Sequence, residues 1–209
     1  MSGQDAIGPS RLRFNEELRG YFQFGERDFR PAASAGRREG NPLRCLLNFH
    51  ISDIGRFLGD PAHEIAVMGV VDCPSLGGRL RIEKGAFSLA TKPAPIQHRM
   101  LYRLFFRDGC GHPVTLSGFK MVHDDPGFDL WSDTTTVYTR LFPGHVPAGS
   151  ESTAQVVASG IVRLSPLALL RLMASVRFEA GSFAGRVHVL RRTGQLFTGR
   201  LWEVYGDRA

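Results

Sequence analysis

The chain has 209 residues and a formal net charge of +6, with 43% apolar and 22% charged residues. That length suits one domain with a sizeable core, and no apolar run approaches the roughly 18 residues of a membrane span, so no integral membrane segment is expected. Lys84, Lys92 and Lys120 are the only lysines among 26 basic residues. Without an RNP, zinc-finger or helix-turn-helix pattern, this arginine excess reads as compositional and not as a nucleic-acid interface.

Cys45, Cys73 and Cys110 are far apart and form no CxxC pair, which predicts neither a zinc site nor a disulfide framework and fits a reducing cytoplasm. No metal and no cofactor is expected. The opening MSGQDAIGPSRLRF has no apolar h-region. Residues 1–11 read as a disordered lead-in and residues 12–206 as a single domain.

The first element is a strand over Phe14–Phe24. Phe14, Glu16, Leu18, Gly20, Phe22 and Phe24 share one face, and Gly20 suggests a bend. The stretch GERDFRPAASAGRREGNP then reads as a long charged loop, a candidate lid. Leu43–Ile51 alternates cleanly, with His50 opposite Leu43, Cys45, Leu47, Phe49 and Ile51. Ser52 and Asp53 are positioned to cap a short helix that Gly59-Asp60-Pro61 stops. Strands follow over His63–Asp72, Arg79–Thr91, Arg99–Arg107 and Val114–His123, with turn signals at Gly77-Gly78 and Asp108-Gly109.

GFKMVHDDPGFDLWSDTTTVYTRL, residues 118–141, reads as strand, polar turn and strand. Asp125 and Asp133 are expected to bond backbone N–H groups, and Trp131 to be buried. A strand over Thr153–Leu164 is the last. Ser165-Pro166 then opens a helix, and Phe183, Val187, Leu190, Phe197, Leu201 and Val204 recur at helical spacing beyond it.

About eight strands with short connections and no βαβ alternation predict a mainly β fold. The expectation is a single antiparallel up-and-down β-barrel, lipocalin-like in size, with C-terminal helices from about residue 165. Such a barrel can hold one small ligand. Tyr102, Lys120, Trp131 and Tyr138 are the polar-tipped groups placed to orient an apolar molecule. His50 and His123 are the candidate acid–base groups. Gly69, Gly85, Ala86, Gly118, Ala158 and Gly160 either leave room inside or mark bends.

The segments FNEELRGYF, SDIGRFLGDPAHEIAVMGVVDCPSL, SGFKMVHDDPGFDLWSDTTTVYTRL, SGIVRLSP and TGRLWEVYG resemble a module of bacterial proteins. That module accompanies cholesterol-oxidase-like (GMC-type) flavin oxidoreductases and α/β-hydrolase domains. The resemblance implies steroid or lipid metabolism and a partner oxidoreductase or hydrolase. Neither a G-x-G-x-x-G nor a G-x-S-x-G motif is present, so flavin chemistry and serine hydrolysis by this chain are not expected. Three readings stay open: a binder of a hydrophobic small molecule, an isomerase or cyclase working inside the barrel, and a docking module with a filled core.

Overall fold

The structure, a computed structural model, describes residues 11–60, 63–93, 96–122 and 135–179. β-Branched and aromatic residues in period-two alternation make strands wherever one face can be buried, and eight such strands close on themselves. They are β1 (Arg11–Phe24), β2 (Pro42–Ile51), β3 (Ile65–Cys73), β4 (Gly78–Pro93), β5 (Ile96–Arg107), β6 (Pro113–Val122), β7 (Thr136–Pro143) and β8 (Ala158–Leu164). Each pairs antiparallel with the next, and β8 returns to pair with β1, so the expected up-and-down barrel is the observed one.

β1 is shared unevenly. Leu18–Phe24 pairs with β8, whereas Arg11–Arg13 pairs with a short β9 (Arg177–Glu179). Between β8 and β9 the chain forms helix α3 (Pro166–Ser175), and two described α-helices precede it. These are α1 (Phe29–Glu39) and α2 (Ile54–Gly59).

Asp53 caps α2 as expected, its carboxylate accepting from Arg56 N at 3.1 Å. Ile54 and Phe57 of α2 enter the barrel core. α3 turns Ala168 into the core and packs Leu169 and Leu172 against it, while Leu167 and Leu170 stay exposed. Two polar contacts tie it to β1 where the ladder is interrupted: Asn15 N donates to Ser175 Oγ at 2.8 Å, and Arg171 lies 3.6 Å from the Glu17 carboxylate.

Residues 29–39 correct the loop expectation, because they form a helix on the outer face of β1 and β8. Its buried positions are Ala32 and Gly36. A Cβ on Gly36 would lie 2.0 Å from Phe22 O, so only glycine lets the helix sit this close to the strand.

The interior glycines settle the choice between room and bend. A Cβ at Gly20, Gly69, Gly85 or Gly160 would meet the neighbouring strand's backbone at 1.9, 2.0, 2.4 and 2.5 Å respectively. These are corners where the coiled sheet brings backbones together. They are not side-chain vacancies. At Gly118 the near atoms belong to side chains, with Val137 Cγ1 at 2.9 Å and Tyr102 Cβ at 3.6 Å. The amphipathic pattern over residues 183–204, and the Asp125, Trp131 and Asp133 expectations, lie outside the described residues.

Candidate functional site

Inward positions follow from register, because directly paired residues of antiparallel strands share a face. Phe22, Gly160, Thr139, Gly118, Tyr102 and Phe87 form one such row around the wall. Lys120, one inward position along β6 from Gly118, pairs with Met100. Most of this interior is apolar, and its aromatic side is stacked. Phe14 lies flat on Phe49 with ring centroids 4.5 Å apart, and Tyr102 meets Phe87 edge to face at 5.0 Å.

Into this wall β1 inserts a carboxylate. Glu16 is 5% exposed, Lys120 4% and Tyr102 3%. Lys120 Nζ donates to Glu16 Oε1 at 2.8 Å, and the Tyr102 hydroxyl donates to Glu16 Oε2 at 3.0 Å. The Lys120 ammonium also lies 5.4 Å from the centroid of the Tyr102 ring, close enough for a cation–π attraction. The carboxylate therefore holds both donors on one side of the barrel.

A buried ion pair is no more stabilising than well-packed apolar residues of the same volume. Its presence in an otherwise apolar interior marks this cluster as a candidate site. Thr139, in the same row as Tyr102, has a buried Oγ1 with no hydrogen-bond partner among the described residues, which leaves one further polar atom on the inner wall.

The electrostatics keep the surrounding acids protonated. Burial, and then the Glu16 charge, push the Tyr102 hydroxyl well above its usual range. The same two causes push the Cys45 thiol up to about 12, and burial pushes Cys73 to about 11. Cys110 is exposed. At pH 8 a thiol reagent should therefore label one cysteine per native chain, with Cys45 and Cys73 reacting only after denaturant is added. Fast labelling of all three in the native protein would contradict the buried placement.

No family model, curated protein or solved structure matches this chain.

Two of the residues singled out from the sequence, Tyr102 and Lys120, come together. Tyr138 does not join them. It is on the outer face, stacked on Phe119 at 5.5 Å and edge-on to Phe29 of α1 at 5.3 Å, because its neighbours Val137 and Thr139 take the inward positions. His50 is likewise on the outward side of β2, between the buried Phe49 and Ile51, so it does not point into the barrel. Its Nε2 is buried without a partner among the described residues. His123 and Trp131 lie outside the described residues. Glu16 is the member that sequence reasoning missed. The signal was present: it is the one charged residue on the face shared by Phe14, Leu18 and Phe22.

Proposed function

We propose that the barrel binds a hydrophobic small molecule, steroid- or fatty-acyl-like, whose single oxygen function is received at the Glu16–Lys120–Tyr102 cluster. The observation that carries this reading is the cluster itself: a cation, an anion and a phenol, each at least 95% buried in a wall of Phe, Leu, Ile and Val. Pockets for apolar ligands are built this way, with few polar groups among many apolar ones. Lys120 has three donors and gives one to Glu16, so a carbonyl or carboxylate oxygen can take another. The apolar body would gain roughly 25 cal/mol for each Å² it buries. Docking onto an oxidoreductase or hydrolase, as the sequence resemblance implies, is compatible with this role.

Titration with a fluorescent sterol or fatty-acid analogue, competed by unlabelled lipid, tests it. Saturable binding at micromolar concentration is expected, weakened at least about tenfold in Lys120→Met, the loss of one hydrogen bond to a charged group. No saturable binding at tens of micromolar would leave the docking module with a filled core as the better account.

A second reading is favoured by one observation. An isomerase or cyclase needs a carboxylate or histidine inside the barrel, and Glu16 is there, within hydrogen-bond reach of Tyr102 and Lys120. Incubating the bound lipid with protein and looking for a positional isomer or ring product by NMR separates turnover from binding.

A further inference from the structure

Away from the barrel interior, the turn joining β5 to β6 brings three unlike donor groups together. Asp108, Cys110 and His112 each offer one ligand atom, and these atoms lie within 4.8 Å of one another. Residues spaced by two along a regular strand would project side chains roughly 7 Å apart, so it is the turn that gathers them.

Its backbone is held from several directions. Asp108 N donates to His112 O and Gly111 N to Asp108 O, both at 2.9 Å. Asp108 Oδ1 accepts from Cys110 N at 2.9 Å and from His112 N at 2.8 Å. Gly111 takes φ 85°, which suits glycine. Sideways, Gly109 N donates to Leu76 O at 2.7 Å, and a Cβ on Gly109 would lie 2.9 Å from Gly77 Cα, so the turn is seated against the β3–β4 connection.

Among the described residues, that scaffold leaves Asp108 Oδ2 free of backbone donors and hydrogen-bonded only to the side chain of His112, 3.2 Å from its Nδ1. Zinc bonds of about 2.0–2.3 Å in a tetrahedron set donor atoms roughly 3.3–3.8 Å apart, so this pair already has nearly the separation of two ligands on one ion. Cys110 and His112 are exposed to solvent, and the Cys110 sulfur lies within 4.8 Å of the other two donor atoms. Arg107, next to Asp108 in sequence, is occupied: it donates to Gly111 O at 2.9 Å and to Glu83 at 3.0 Å.

We infer that this turn is a divalent transition-metal site, with Asp108 Oδ2, Cys110 Sγ and His112 Nδ1 as three ligands and water as the fourth. Thiolate and imidazole select zinc, or cobalt in its place, over magnesium and calcium. Oδ1 keeps its two backbone partners, so binding leaves the turn intact. D-x-C-x-H differs from the paired CxxC and HxxxH spacings of common zinc sites, so three scattered cysteines predicted no metal; the hairpin supplies the proximity.

The test is titration of reduced, metal-free protein with cobalt(II), read by the thiolate-to-cobalt absorption in the near ultraviolet. The expected result is a band that saturates at one ion per chain, is abolished by zinc, and is lost in Cys110→Ser. It should also be lost in His112→Ala and weakened in Asp108→Asn, which retains the Oδ1 acceptor and so the turn. Denaturation midpoints equal to wild type would show that these variants are folded. The site is overturned by absence of a band up to millimolar cobalt, by a band that survives Cys110→Ser, or by one that ignores both other substitutions and so reports a lone thiolate.

Discussion

Lys120→Met should destabilise the protein by about 3–5 kcal/mol, because it leaves the Glu16 carboxylate buried with its ionic partner gone. Tyr102 still donates to that carboxylate, but a neutral phenol does not offset a buried charge. Glu16→Leu should cost a similar amount by the converse route, stranding the ammonium and removing the acceptor of the Tyr102 hydroxyl. Glu16→Leu combined with Lys120→Met should recover most of the loss, since replacing both ions by apolar groups of similar size is neutral or stabilising. Denaturant midpoints of the four proteins give the cycle. The double variant is the informative one for function. Stability near wild type together with lost lipid binding separates a site from a structural brace; if binding survives, the ion pair is not the anchor.

The second large effect is expected at a glycine. Gly20→Ala would place a Cβ 1.9 Å from Ile161 O and 2.7 Å from Val162 Cα. Both are backbone atoms of β8, so no rotamer change makes space, and β1 must separate from β8 where the barrel closes. A loss of at least about 3 kcal/mol, the upper range for overpacking, is expected. Gly59→Ala is the matched control. It has nothing within 4 Å of its added carbon and lies in α2, where the same change should be neutral or stabilise by about 0.5–1 kcal/mol. Equal midpoints for Gly20→Ala and wild type would mean that β1 and β8 do not approach as closely as described.

The strands were legible because alternation and burial coincide in them. Leu43, Cys45, Leu47, Phe49 and Ile51 alternate in sequence and are all buried. α1 was not legible, for a local reason. Its inward stripe is Ala32 and Gly36, small residues that carry no hydrophobic period, and what selects them is closeness to the Phe22 backbone, a tertiary fact. The glycines were ambiguous for a related reason, since a small residue looks the same in sequence whether it leaves space or removes a collision.

The site was half legible. Tyr102 and Lys120 were chosen for their polar tips, but alternation alone cannot say which face of a strand turns inward, and Tyr138 and His50 were lost to that ambiguity. Glu16 was hidden by its pattern, since one carboxylate on an apolar face of β1 does not announce that a lysine on β6 will reach it.

The wall of this barrel is completed by joining its first strand to its last. Leu18 meets Leu164, and Leu12 meets Phe178, whereas the seven pairings from β1–β2 to β7–β8 link neighbours in sequence. Those pairings close far shorter stretches of chain and can form early; the seam must wait for a search over almost the whole described length. On the ribosome, β1 emerges first and has β2 on one side, but its other edge stays bare until β8 has been synthesised. Throughout that interval an unpaired row of amides and carbonyls is offered to any other nascent chain. The slowest step in maturation, and the one at which a chaperone has most to protect, is therefore fixed by where the seam falls in the sequence.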